Sequence, residues 1–271
     1  MTVYLIPEAG GDAGLGAKSI ADKMGLSTVM VDSNPAFSDI EVPGGSRIEP
    51  CIERFARSID GKVVVLPTCE ATTPAYALLE KNMVVFGWFS EKAYEVSRDK
   101  TLLSRYAWAL SLSKSQTGPL FRKPRCGSGA RGCVRVTGRA DVFPEPSAYF
   151  DVLREPYCVV DVVGEQAWSR RVLRQKGGAD IDMVFESNPE LEEIALTVAN
   201  DLGAYVMNVQ FMFDDNGRPQ VIDLAPRFSG ASARLMLAGV NPLAALLHGD
   251  KQVLNPCRVT IDPQWSVVGL T

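Results

Sequence analysis

Gln210, Asp223 and Arg227 are the residues whose types and spacing point most directly to chemistry. They lie in NVQFMFDDNGRPQVIDLAPRF, residues 208–228, where two alternating apolar runs flank Asn216-Gly217. Both loop residues tolerate the positive φ of a type I′ turn, so the pair is a strong two-residue hairpin signal. That loop pairs Asp215 with Arg218, then Asp214 with Pro219 at a non-hydrogen-bonded position that suits an imide nitrogen. The same count sets Gln210 opposite Asp223, with Cα atoms roughly 4.5 Å apart. Val209, Phe211, Phe213, Ile222 and Leu224 then share the core face, and Gln210 and Asp223 share the other. Two oxygen donors side by side, with an arginine just beyond, suit a hard divalent cation held next to a phosphate. An ordinary hairpin closed by a surface ion pair uses the same residue types, so the reading needs a second motif.

LFRKPRCGSGARGCV, residues 120–134, supplies it. The pattern predicts a strand ending at Lys123-Pro124, a glycine-rich loop, and a second strand from Cys133 to Thr137. Glycines at 127, 129 and 132 let backbone N–H groups approach phosphate oxygens, and Ser128 adds a hydroxyl. Lys123 brings a point charge for an α- or β-phosphate. A Walker A loop is excluded, because it runs into a helix and carries GK[ST]. Upstream, Asp99-Lys100 falls in a helical stretch expected over Glu91–Leu112.

In this order the motifs resemble the ATP-grasp superfamily, in particular its carboxylate–amine ligases of the carbamoyl phosphate synthetase and amino-acid ligase branch. Asp99-Lys100 resembles the start of the nucleotide-binding region, and Lys123-Pro124 with Gly127, Ser128, Gly129 and Gly132 resembles the family's glycine flap. Gln210 and Asp223 match the Mg²⁺-binding hairpin, and Arg227 matches the arginine that stabilises the transferred phosphoryl group. The chain departs from the family at Asp223, where Glu is usual, and at Ala225, where an Asn ligand is expected. Asn208, counted opposite Ala225, offers a replacement oxygen. YCVVDVV, residues 157–163, resembles the strand after the adenine-binding linker. Asp161 matches there, Tyr157 stands at the ribose-binding position, and Glu155 is the ribose contact the resemblance suggests. Arg171 and Arg174 lie on an arginine-rich strand that the resemblance turns to the substrate, and Ser229-Gly230 lie in a small-residue loop next to Arg227, placed to admit one.

The resemblance implies ATP and Mg²⁺ as cofactors, with Mn²⁺ as an alternative, and Lys123 and Arg227 as catalytic residues. It implies ligation of a small-molecule carboxylate to an amine through an acyl phosphate, with release of ADP and phosphate. The alternative within the family is a degenerate protein that binds nucleotide without turning it over. A dehydrogenase is the rival outside it, because the chain opens as strand, glycine-rich turn, helix and strand. Gly11-Asp-Ala-Gly14-Leu-Gly16 does not have the G-x-G-x-x-G spacing, however, which counts against dinucleotide binding.

The elements that must position these residues follow from periodicity. Strands at Val3–Pro7, Thr28–Val31, Lys62–Pro67 and Met83–Phe86 alternate with helices near Ile20, Pro50–Ile59 and Pro74–Glu80, as in a parallel sheet covered on both faces. The expected class is α/β, with a Rossmann-like pre-ATP-grasp domain over 1–90 followed by a compact ATP-grasp fold of two α+β subdomains, 91–163 and 164–271. Strand ends around Glu8–Gly11 and Thr68–Thr72 would face the cleft. A capped helix is expected after Ser187-Asn188-Pro189, with Gly203 ending it. Closing helices are expected at Ser232–Gly239 and Pro242–His248.

Composition bounds the rest. A net charge of −4 argues against a general nucleic-acid footprint. No apolar run matches a membrane span, and the N-terminal residues do not read as a signal peptide. The six cysteines have no metal-binding spacing and read as reduced thiols, so the expected compartment is the cytoplasm. Neither a nucleic acid nor a membrane is expected as a partner. Oligomeric state is open, a homodimer being one option.

Overall fold

A computed structural model describes residues 2–7, 12–43, 49–68, 84–85, 88–109, 120–126, 133–137, 147–151, 153–176 and 179–261. Three sheets organise them. The first is parallel and built from β1 (Thr2–Pro7), β2 (Thr28–Asp32), β3 (Ile40–Glu41), β4 (Lys62–Val65) and β5 (Val84–Val85), in the order β3-β2-β1-β4-β5. Its central strands β1 and β4 are almost continuously apolar, as strands covered on both faces must be. Helix α1 (Asp12–Lys23) packs Ala17, Ile20 and Ala21 on one face, and α2 (Glu49–Ser58) packs Ile52 and Ala56 on the other.

The segment 91–112 is not one long helix. Helix α3 (Glu91–Arg98) stops at Asp99, and a short α4 (Lys100–Leu103) starts after it. Asp99 is extended (φ −101, ψ 105), and its carboxylate accepts from the backbone N–H and hydroxyl of Thr101. An Asp in this position competes with the helix by capping a new one. The break lets Asp99 bridge to Cys126 and lets the Lys100 N–H donate to the Arg125 carbonyl at 2.9 Å. Lys100 is thereby tied to the strand that carries Lys123.

A three-stranded antiparallel sheet follows, of β6 (Leu120–Pro124), β7 (Val134–Val136) and β8 (Ser147–Asp151), in the order β7-β6-β8. The last sheet has six strands: β9 (Arg154–Val163), β10 (Gln166–Lys176), β11 (Ala179–Phe185), β12 (Val206–Phe213), β13 (Pro219–Ala225) and β14 (Cys257–Thr260). Their order is β13-β12-β9-β10-β11-β14. The strand expected to close the 91–163 subdomain, β9, thus lies at the centre of the C-terminal sheet.

One face of this sheet is covered by α5 (Pro189–Leu202). Asn188 caps it through the Leu191 N–H, Pro189 occupies the first turn, and Gly203 ends it in the left-handed region at φ 66. Leu191, Ala195, Val198 and Leu202 pack against Cys158, Val160, Val162, Met207, Val209 and Phe211. The opposite face, with Val163, Trp168, Met183, Phe185 and Val206, shares one core with α1, β1 and β4. A 3₁₀ segment, Ser232–Ala238, and α6 (Pro242–His248) complete that core. The segment 232–238 is 3₁₀ rather than the α-helix expected from its apolar spacing, and Gly239 closes it at φ 79.

The contact between α1 and the 3₁₀ segment fixes how the parallel sheet meets the residues after Arg227. Gly16 is required there, because a Cβ at this position would lie 2.5 Å from the Ala233 Cβ. Gly16→Ala is therefore expected to destabilise the protein by about 1–3 kcal/mol through overpacking. A lower urea midpoint with an unchanged slope checks this.

Candidate functional site

The hairpin that carries Gln210 and Asp223 reaches the expected pairing by a different route. Gln210 lies opposite Asp223 and Asn208 opposite Ala225, but Phe213 pairs with Pro219 and Phe211 with Val221. The loop is therefore not the two-residue Asn216-Gly217 turn. Asp214 accepts from the N–H groups of Asn216 (2.8 Å) and Arg218 (2.9 Å), and this Asx turn makes a three-residue loop of Asp215, Asn216 and Gly217. A bulge at Ile222 takes up the one-residue difference and restores the register at Asp223.

The bulge has a chemical consequence. Val221 and Leu224 stay in the core under α5, whereas Ile222 leaves that face and packs beside Phe150 and Leu153. Ile222 was expected on the core face and is not there. Its carbonyl is turned to the Lys123 ammonium, which donates to it at 2.7 Å.

Lys100 and Lys123 both converge on Asp223. Lys100, 4% exposed, donates to the Asp223 Oδ1 and, at 2.9 Å, to the Ser97 carbonyl. The Lys123 Nζ lies 3.9 Å from Oδ2. Burial, with the nearby Lys100 charge, lowers the proton affinity of the Lys123 amine, and Asp223 works against that shift. Two ammonium groups around one carboxylate leave the cluster with a net positive charge, as an anion site requires. Asp99 anchors the lysine-bearing helix. Its burial favours the neutral acid, but hydrogen bonds from Arg125 and Thr101 win and hold its pKa at about 2. Arg227 follows in the chain, its Nη1 donating to the Phe228 carbonyl at 2.8 Å, while the Phe228 N–H reaches the Pro67 carbonyl, two residues past β4.

Several expected contacts are placed elsewhere. Asp161 is turned into the protein interior. It is 4% exposed, its Oδ2 is paired with Arg170, and its Oδ1 accepts from Asn208 (3.0 Å), Ser229 (3.2 Å) and Ser232 (2.9 Å). Ser229, expected at the substrate, spends its hydroxyl in this network, and Gly230 beside it is half-buried. The amide nitrogen of Asn208 is committed to Asp161. Arg171 points to the α5 side of the sheet, where it pairs with Glu186 at 2.8 Å, because strand alternation sends it away from the Asp223 face. Arg174 is exposed opposite Asp182 beyond an irregularity in β10. Glu155 is exposed next to the cis Glu155–Pro156 bond at the start of β9. Gly127, Ser128, Gly129 and Gly132 lie outside the described residues, as do Glu8–Gly11 and 69–72 of the expected cleft-facing strand ends.

Arg170, the other half of the Arg170-Arg171 pair on this strand, lies on the site face. It is 2% exposed, pairs with Asp161, and lies 3.3 Å from Asp180. Tyr157 stands on the same face, and burial together with the Asp180 charge raises its pKa well above the usual phenol range. The signal was present. Gly164-Glu165 is a two-residue loop that pairs Val163 with Gln166, and counting outward puts Arg170 on the same face as Asp161.

Residues 149–269 match a family model described as ATP-grasp in the biosynthetic pathway with Ter operon. No curated protein matches the chain significantly. Among solved structures, N5-carboxyaminoimidazole synthetase from Staphylococcus aureus superposes with a TM-score of 0.70 at 13% identity, over 95% of this chain and 81% of that one. An L-amino acid ligase from Bacillus licheniformis gives 0.67 at 15% identity, over 93% and 75%. The biotin carboxylase domain of 2-oxoglutarate carboxylase from Hydrogenobacter thermophilus, solved as a dimer with magnesium ADP and bicarbonate, gives 0.66 at 14%, over 92% and 70%. Residues 149–269 carry the ATP-grasp family match, and the chain shares the fold of these solved structures.

The Asp161 network yields a stability prediction. Asp161→Ala leaves the Arg170 guanidinium buried without its main partner and is expected to cost about 3–5 kcal/mol. The double variant Asp161→Leu with Arg170→Met, which removes both charges, should recover much of that loss in urea unfolding.

Proposed function

We propose that the protein is an ATP-dependent ligase that joins a small-molecule carboxylate to an amine through an acyl phosphate, releasing ADP and phosphate. The observation that carries this reading is the convergence of Lys100 and Lys123 on Asp223, with Gln210 directly across the ladder and Arg227 four residues further on. Two separate segments deliver buried cations to one carboxylate, an arrangement a surface ion pair does not need. The L-amino acid ligase among the solved structures of this fold supports the same reading.

In this reading the three- and six-stranded sheets clamp the nucleotide between them, and the parallel sheet is the pre-ATP-grasp part. Lys100 and Lys123 hold the triphosphate, and the loop with Gly127, Ser128, Gly129 and Gly132 covers it. Phosphoryl transfer asks the protein mainly for positioning and charge neutralisation. Asp223 and Gln210 are the oxygen donors for magnesium. One carboxylate and one amide suit an ion that takes its other ligands from phosphate and water. When bound, magnesium neutralises charge across the phosphates. Arg227 meets the charge developing on the transferred group. The carboxylate oxygen of the acceptor attacks the γ-phosphorus as the bond to the β-phosphate oxygen breaks, and the amine then displaces phosphate from the acyl carbon.

A second reading is a nucleotide-binding protein without turnover. It is favoured by Ala225, a residue with no side-chain donor atom where the resembled family has a metal ligand. Incubation with MgATP and pooled amino acids separates the two: acceptor-dependent ADP release supports the ligase. Nucleotide binding without release under any acceptor supports the second reading. For the ligase, Asp223→Asn and Arg227→Ala should each lower ADP formation by at least about a hundredfold. Their far-ultraviolet circular dichroism should match the parent protein, and near-parental turnover in either variant would show that the site is misplaced.

A further inference from the structure

The ion pair between Lys100 and Asp223 joins a residue expected at the phosphates to one expected at the metal. Oδ1 of Asp223 accepts both the Lys100 ammonium and, at 2.9 Å, the Leu224 N–H, and Oδ2 faces Lys123 at 3.9 Å. Neither lysine is a loosely placed surface group. Lys100 and Lys123 are 4% and 7% exposed, and each has a backbone carbonyl as a further acceptor, Ser97 and Ile222 respectively. A divalent ion approaching Asp223 therefore meets two positive charges for one negative. Gln210 across the ladder adds an oxygen but no charge. Among the described residues no group of three histidine, cysteine or acidic side chains compensates.

We infer that Lys100 is a built-in counter-cation, which keeps Asp223 from taking a free divalent metal until nucleotide phosphates draw its ammonium away. The exchange is ionic, with no bond made or broken. Phosphate oxygens, carrying several negative charges, compete with the single Asp223 carboxylate for a lysine whose four-carbon stem can pivot. As Lys100 turns to the phosphates, Oδ1 is released as a metal ligand. A hard cation that loses its water reluctantly then finds a carboxylate and phosphates together. Metal and nucleotide binding are thereby coupled, and the coupling is reciprocal. Lys123 reaches Asp223 only at 3.9 Å, so Lys100, which is hydrogen-bonded to Oδ1, is the lysine whose departure frees the carboxylate. This inference rests on the proposed nucleotide site, and it makes Lys100 a positioning residue for Asp223 as well as a phosphate contact.

The test uses Mn²⁺ as the metal probe and electron paramagnetic resonance of the free ion, with no nucleotide present and no activity needed. The parent protein is expected to show no saturable Mn²⁺ binding into the millimolar range. Lys100→Met and Lys100→Gln, each checked for a parental circular dichroism spectrum, are expected to bind one Mn²⁺ at least about tenfold more tightly than the parent. Adding Asp223→Asn to either variant should abolish that binding. Saturable binding of Mn²⁺ by the nucleotide-free parent overturns the inference by itself, even if both lysine variants misfold. Folded lysine variants that bind no better than the parent overturn it too. A separate titration with a fluorescent ATP analogue in chelator tests the nucleotide reading: no binding there sinks the proposed function, whereas the Mn²⁺ comparison still judges the role of Lys100.

Discussion

The buried pair of Asp161 and Arg170 is the interaction on which the site's geometry depends. Two charged groups taken out of water are tolerated only when their hydrogen-bonding capacity is met. Here Asp161 accepts from strands β10 and β12 and from both serines of the loop after Arg227. Ser229 and Ser232 close that loop on each other, and the Phe228 N–H ties it to the end of the parallel sheet. One carboxylate thus determines where the chain can go once it leaves Ala225. Arg227, at the start of that loop, inherits its position.

The second constraint is the bulge at Ile222. Without it, the three-residue loop would carry Asp223 to the core face and Ile222 to the site. The bulge corrects the register and at the same time turns a carbonyl toward Lys123. Local irregularity is common where a strand must aim a functional group, and this one serves two groups at once.

Much of this was legible in the sequence, and the misses have specific causes. The pairing of Gln210 with Asp223 was counted from a two-residue loop, and the count arrived at the right partner because two offsets cancelled. The Asp214 side chain lengthened the loop, and Ile222 absorbed the excess. Neither event has a periodic signature. The helix expected across 91–112 broke because Asp99 caps better than it propagates, and tertiary bridging to Cys126 rewards the break. Asp161 is a ligand contact by family resemblance and Ser229 by its place beside Arg227, but neither signal says whether a polar atom faces a ligand or a neighbouring strand. Arg170, not Arg171, lies on the Asp161 face, and strand parity from the Gly164-Glu165 loop distinguishes the two. The apolar parallel strands and the capped helix after Asn188 were read correctly because local signals there agree with packing.

The core shared by the parallel sheet and the six-stranded sheet has an architectural consequence. Ile6, Val64 and Leu66 from the first sheet meet Trp168, Met183 and Phe185 from the other, and α1 lies against the 3₁₀ segment. Neither half is finished on its own side. Recombination that exchanged the amino-terminal third for that of a distant homologue would bring a foreign surface to this seam, so new specificity is more readily gained by altering loops than by shuffling modules.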